Sequence, residues 1–200
     1  MKNKIRIEQF SDKNLDAYER LTKLGDDGKL CYCSFWHAKW SSMAEYDQAK
    51  KDRPEQLKSC VVERMRSQFH VGVIVYADDK PCAWISVGPL TDFYWSWRRV
   101  ANIGEIAKST AGIMCFTVAP EFRGQGLQSQ ILRELKVYGK EKGWTSIEAY
   151  PFSDQAIAKH GESLKWPGLV AGYVKSGFSL LQDHWLSSPE AQRFIYKAMI

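Results

Sequence analysis

The apolar positions change their spacing repeatedly along the chain, and each change marks an element. Residues 4–10 alternate, with Ile5, Ile7 and Phe10 apolar, which predicts a short strand. Ser11 then caps a helix with Leu15, Tyr18, Leu21 and Leu24 on its face, stopped by Gly25 and followed by a turn at Asp26-Asp27-Gly28. Ser42-Met-Ala-Glu45 is a capping box that opens a second helix. Pro54 interrupts that helix and begins a third, with Leu57, Val61, Met65 and Phe69 in helical register. Residues 71–76 and 82–87 read as two strands of a hairpin with a polar turn, and Gly88-Pro89 ends the second. Residues 113–118 form a continuous apolar run, a buried strand. From Leu127 the period becomes helical: Leu127, Ile131, Leu132, Leu135 and Tyr138 share one face, and Lys140, Lys142 and Gly143 close it. Residues 145–150 form the next strand, ending at Pro151. Residues 151–168 read as polar and irregular. A short helix over 169–175 and two antiparallel strands over 178–182 and 192–198 complete the chain.

Strand, turn, helix and strand in succession over residues 113–150 imply a parallel crossover inside an α/β fold. The turn between is Arg123-Gly124-Gln125-Gly126. Glycines let the backbone approach a phosphate, and the first N–H groups of the following helix have no internal acceptor. The helix dipole adds roughly half a positive charge there. The turn therefore reads as a pyrophosphate cradle. A dinucleotide fingerprint is one alternative, with Glu148 near the place of the ribose-binding acid. Against it, five residues separate the strand from the glycines, hairpin strands precede it, and too little chain follows Tyr150 for the remaining βαβ units. A Walker A loop is excluded, because no Gly-Lys-Ser/Thr follows the glycines. A plain turn without a ligand is the remaining alternative.

Pro120-Glu-Phe-Arg123-Gly124-Gln-Gly126-Leu127 resembles the acyl-CoA turn of the GNAT superfamily of N-acetyltransferases, Gln/Arg-x-x-Gly-x-Gly/Ala. Gly124 and Gly126 match, whereas the leading position holds Glu121. Downstream, Tyr173-Val-Lys-Ser-Gly177-Phe178 looks like the family's Tyr-x-x-x-Gly-Phe segment, which closes the acyl-transfer site. The resemblance is strong over residues 71–178 and weak before them. It implies a GNAT-like mixed, mostly antiparallel sheet with splayed central strands and flanking helices. It also implies a single domain over residues 1–200: a helical, divergent N-terminal part (1–70), then the hairpin, acyl-CoA turn and C-terminal strands (71–200).

Composition narrows the partners. The net charge of +5, from 28 basic and 23 acidic residues, suits a polyanionic cofactor, and the spread of the basic residues argues against nucleic acid. The start, Met-Lys-Asn-Lys-Ile-Arg-Ile, has no signal-peptide apolar region, and no run reaches membrane-spanning length. Five cysteines, an odd number, then argue for reduced thiols in the cytoplasm. Oligomeric state, monomer or homodimer, is open.

Three readings compete for Cys31-Tyr-Cys33-Ser-Phe35-Trp36-His37. Cys31, Cys33 and His37 invite zinc, but a fourth ligand at finger spacing is missing, and no metal is expected. Buried thiols beside core aromatics is a second reading. The resemblance supplies a third, the acceptor pocket. Residues 91–112 lack periodicity and carry Phe93, Tyr94, Trp95, Trp97, Arg98 and Arg99, an aromatic lip for the acceptor or ordinary packing.

The resemblance implies acetyl transfer from acetyl-CoA, as co-substrate, to an amine through a ternary complex. The acceptor is a small-molecule amine or a peptide or protein amine. Arg123, Gly124, Gln125, Gly126, Leu127 and Gln128 then hold the pyrophosphate. Phe116, Thr117 and Val118 offer main-chain hydrogen bonds to the pantetheine arm, and one N–H among them meets the thioester oxygen. Tyr173 is the expected general acid for the departing thiolate, since a phenol is neutral at pH 7. Glu148, on the strand beside the cofactor strand, is the expected base or else a structural acid paired with a lysine. Glu105, Asp154, His160 and a water chain are its rivals. A non-catalytic acyl-CoA-binding module and an NAD(P)-dependent enzyme are the alternative functions.

Overall fold

The computed structural model describes residues 3–24, 31–94 and 109–200. Among the described residues seven strands form one sheet: β1 (Ile5–Gln9), β2 (Val73–Ala77), β3 (Lys80–Pro89), β4 (Thr110–Val118), β5 (Ser146–Ala149), β6 (Ser179–Asp183) and β7 (Phe194–Met199), in the order β1-β2-β3-β4-β5-β7-β6. Only β4 and β5 pair in parallel; the rest are antiparallel. Helices α1 (Leu15–Thr22), α2 (Met43–Asp52) and α3 (Pro54–Arg66) belong to one face. The other face carries α4 (Leu127–Glu141) and α6 (Val170–Lys175), with α5 (Asp154–His160) between them in sequence. The fold is the mixed, mostly antiparallel α/β sheet expected.

Each layer follows from the apolar pattern. On α4, Leu127, Ile131, Leu132, Leu135 and Tyr138 are buried against Ile85, Ile113, Ile147 and Ala198. Each buried leucine or isoleucine there contributes about 1.5–3 kcal/mol. On the opposite face Trp84, fully buried, meets Phe10 and Tyr18 edge-on at 5.4 and 4.8 Å. A bulge in β4 shifts the in-out alternation by one residue. Ser86 pairs with Cys115 and Val87 with Ile113, so Met114 is the extra residue. Met114 and Cys115 therefore both join the α1–α3 side, and Phe116 returns to the α4 side.

Several expectations need correction. Residues 151–168 are not irregular throughout: Ser153 accepts from the Ala156 N–H at 3.1 Å and starts α5. That helix is only seven residues long, too short for a full apolar stripe to show. The helix after Ser11 opens with a separate 3-10 turn, Asp12–Asn14. Helix α3 stops at Arg66, so Phe69 lies beyond it, 37% exposed under Arg64. β4 begins at Thr110, inside the stretch read as aperiodic. Gly25, the 26–28 turn, Trp95, Trp97, Arg98, Arg99 and Glu105 lie outside the described residues. No helix among the described residues is long and apolar enough to cross a membrane.

Candidate active site

The two parallel strands part company. β4 and β5 pair from Thr110↔Ser146 to Ile113↔Ala149; β5 then ends, while β4 runs on to Val118. The last residues of β4 keep β3 on one side, Phe116 opposite Ile85 and Val118 opposite Ala83. Their other side opens into a groove of about 720 Å³. The Phe116 N–H points into it, and by strand alternation the Val118 N–H points the same way.

The glycine turn closes one end of this groove. Gly124 and Gly126 both sit in the left-handed region, at φ 73° and 67°, and a Cβ on either would meet nothing within 4 Å. Backbone conformation, not crowding, is what asks for glycine there. The turn thus presents bare backbone to the groove, and Gly126 caps α4, whose first N–H groups have no intrahelical acceptor. Arg123 fixes the turn by donating Nε to the Val118 carbonyl at 2.8 Å. Lys50 and Lys165 add positive charge to the lining. An opening strand edge that runs into a helix start, under positive charge, is an anion-terminated slot for an extended ligand.

The sequence model of the Acetyltransferase (GNAT) family matches residues 33–160. The chain belongs to the GNAT acetyltransferase family. No curated protein sequence matches it. Solved GNAT structures share its fold at low identity. PaiA N-acetyltransferase from Thermoplasma acidophilum, in complex with coenzyme A, is 14% identical over 98% of this chain and 99% of that one, with a TM-score of 0.54. Aminoglycoside acetyltransferase AAC(6')-Ib, also with coenzyme A, is 15% identical over 98% and 95%, TM-score 0.55. The ribosomal-protein-S18-alanine N-acetyltransferase of Escherichia coli is 12% identical over 98% and 94%, TM-score 0.53.

Within this GNAT groove lie Phe116, Thr117, Val118, Arg123, Gly124, Gly126, Leu127 and Gln128, eight of the nine positions marked for the cofactor. Gln125 does not line it; its side chain turns back to the Glu121 carbonyl at 3.0 Å. The Glu121 carboxylate faces away, toward Arg20 at 3.5 Å. The Gln128 amide is already engaged with the backbone of Leu169, leaving only its main chain for a ligand.

Tyr173 is fully buried and donates its hydroxyl to the Pro167 carbonyl. Burial pushes its phenol up, so it keeps its proton. It stands directly behind Gly168, a groove residue, where an added Cβ would meet the Tyr173 Oη at 2.9 Å. Glu148 lies outside the groove lining. It accepts from Lys197 Nζ at 3.1 Å and from Tyr150 Oη at 3.1 Å. It faces the α1–α3 side of the sheet with Tyr150, because Ile147 and Ala149 face α4. Asp154 and His160 lie on α5; the His160 Nε2 meets the Glu190 carbonyl at 2.6 Å.

Sequence reasoning missed Trp166, whose carbonyl accepts from the Phe116 N–H at 2.7 Å. Its ring lies 5.9 Å from that of Trp36 and 5.1 Å from the Arg193 guanidinium. A large aromatic before Pro167-Gly168, in a polar loop, was the available signal. His37 turns to Ser86 Oγ at 3.2 Å, and no group of three or more possible ligands gathers among the described residues. All five cysteines are free.

Proposed function

We propose that this protein moves an acetyl group from acetyl-CoA to an amine by direct attack in a ternary complex, the chain acting as one catalytic unit. The observation that carries this reading is the groove, where the opened edge of β4 meets the left-handed Gly124–Gly126 turn. The pyrophosphate would rest on the first N–H groups of α4. The pantetheine arm would extend along 116–118. The Trp166 carbonyl supports the thioester position, since it already sets an oxygen against the Phe116 N–H. An acyl oxygen exchanged for it would gain the same donor as charge develops.

Tyr173, held protonated by burial, is the proposed acid for the departing thiolate. Glu148 is the proposed acceptor of the amine proton, directly or through water. The related folds act, by their names, on an aminoglycoside and on a ribosomal-protein alanine, which supports a small-molecule amine or a peptide or protein amine as acceptor. Trp36, Trp166 and Phe152 form an aromatic surround on the acceptor side. The free thiols support a reducing, cytoplasmic setting.

Isothermal titration with acetyl-CoA tests the reading, on the unaltered protein and on Gly124→Glu. Micromolar binding lost in the variant is expected. A folded protein that does not bind acetyl-CoA would sink it.

A further inference from the structure

Cys31, Cys33 and Cys115 come from two distant parts of the chain and meet at one wall of the groove. Cys31 and Cys115 both line it, and Cys33 and Cys115 are buried in one cluster against which Cys31 packs. Cys33 also accepts from the Trp84 Nε1–H at 3.2 Å. The backbone that brings Cys31 and Cys33 together is a tight left-handed turn, with φ 49° at Tyr32 and 54° at Cys33. Neither residue is a glycine, so the surroundings must hold this turn. They do so through Tyr18 Oη, which donates to the Tyr32 carbonyl at 2.8 Å, and Ser34, whose N–H and hydroxyl reach the Cys31 carbonyl at 2.9 and 2.8 Å. Lys50 lines the groove beside Cys31.

We propose that Cys31 and Cys33 form a peroxide-sensitive dithiol on the groove wall, in which Cys31 reacts, Cys33 resolves, and bound CoA shields the pair. The chemistry follows from the environments. The neighbouring Cys33 thiol and the Lys50 charge outweigh the opposing effect of burial, so Cys31 is held below the ordinary cysteine value and supplies thiolate. Cys33 is pushed up by its thiol neighbours and by burial, and stays protonated until needed. An accessible thiolate next to a resolving thiol is the arrangement that redox-responsive cysteines share.

The step balances with hydrogen peroxide as oxidant. The Cys31 sulfur attacks one peroxide oxygen, the O–O bond breaks, and hydroxide leaves and takes up a proton as water. Cys31 is now a sulfenic acid. The Cys33 sulfur loses its proton and attacks Cys31 Sγ, the S–O bond breaks, and a second water leaves. Two thiols and one peroxide have become a disulfide and two waters.

Cys60 supplies the internal control. Its residue is exposed to a similar, intermediate degree, but burial and Glu63 raise its thiol, and it hydrogen-bonds to the His37 carbonyl at 3.6 Å. Exposure alone would make Cys31 and Cys60 equally reactive. The shielding half of the proposal rests on the acetyl-CoA reading above; the dithiol half does not.

The experiment treats the full chain with limiting peroxide and maps each cysteine by mass spectrometry, with and without saturating CoA. Cys31 is expected to oxidise at least tenfold faster than Cys60 and to end as a Cys31–Cys33 disulfide. Cys33→Ser should leave a sulfenic acid at Cys31 that dimedone traps. CoA should slow Cys31 oxidation about tenfold and leave Cys60 unchanged. Equal rates at Cys31 and Cys60, or no disulfide between Cys31 and Cys33, overturn the dithiol. CoA that binds by calorimetry yet does not slow Cys31 overturns the shielding. No CoA binding at all is a failure of the acetyl-transfer reading, and the peroxide map then decides the dithiol alone.

Discussion

Gln128 grips the backbone of Leu169 with both ends of its side-chain amide. Nε2 donates to the Leu169 carbonyl at 3.0 Å, and Oε1 accepts from the Leu169 N–H at 3.0 Å. One residue in the first turn of α4 thereby sets the start of α6, which carries Tyr173. The glycine-turn end of the groove and the phenol behind Gly168 are coupled through this contact. Gln128→Ala leaves the Leu169 N–H unpaired in a part-buried place, while the Leu169 carbonyl keeps the Gly172 and Tyr173 N–H groups. A loss of about 2 kcal/mol in urea unfolding is expected, with acetyl-CoA affinity less affected than turnover.

Gly88 makes a separate demand on the scaffold. A Cβ there would lie 2.1 Å from the His70 carbonyl oxygen, a backbone atom that cannot step aside. Gly88→Ala should cost more than about 3 kcal/mol and lower Tm by roughly 6–12 °C, as calorimetry would read. Gly124→Ala meets no atom, and only its φ of 73° is strained. It should cost about 1–2 kcal/mol.

Tyr173→Phe removes one hydroxyl and keeps the ring packed on Phe178, 5.2 Å away. The Pro167 carbonyl loses its donor, which should cost about 1 kcal/mol. Turnover with an amine acceptor should fall about 100-fold or more, while acetyl-CoA binds as before. Unchanged turnover would remove Tyr173 from the mechanism.

The Glu148–Lys197 pair separates two roles for the same carboxylate. Glu148 has a side chain only 12% exposed, so Lys197→Met strands a charge in a poorly solvated place. A loss of about 3 kcal/mol in denaturant unfolding is expected. Glu148→Gln keeps the shape and removes the charge. If Glu148 takes the amine proton, this variant should lose roughly 100-fold in kcat with acetyl-CoA affinity retained. A purely structural acid would leave kcat unchanged.

Three buried histidines set the acid limit of stability, one of them His184, which burial lowers to about 3. Burial lowers His37 to about 3 and His70 to about 4. His70 bridges the Val87 carbonyl at 2.8 Å and the Tyr138 hydroxyl at 2.7 Å. All three folded values lie below the unfolded one, near 6.5, so the unfolded chain binds more protons as the pH falls. Stability should therefore drop from about pH 6.5 downward, and the His70 share should level off below about pH 4. At pH 5 each histidine should cost about 2 kcal/mol relative to pH 8. Urea midpoints at the two pH values check this, and His70→Gln should reduce the difference.

What could be read along the chain was whatever short-range order writes there. The α4 stripe from Leu127 to Tyr138 repeats every three or four residues because one helical face is buried, and it emerged as expected. The turn announced itself through Gly124 and Gly126, because only glycine adopts that backbone without strain. The parallel crossover followed from the strand–turn–helix–strand order, since two parallel strands cannot be joined by a tight turn.

Tertiary structure decided which polar groups meet. Gln128 and Leu169 are 41 residues apart, Glu148 and Lys197 are 49 apart, and His37 and Ser86 are 49 apart. No local spacing encodes such pairs, because a side-chain amide or imidazole can satisfy itself with many partners until packing leaves one. The bulge at Met114 is a further case: a single extra residue in β4 exchanges the faces that Cys115 and Phe116 would otherwise take. The sequence determined that this chain would build a left-handed glycine turn between a buried strand and a helix start. Only packing around that strand decided that Trp166, Cys31 and the wall before Tyr173 would complete the groove, because their contacts join segments that the chain keeps far apart.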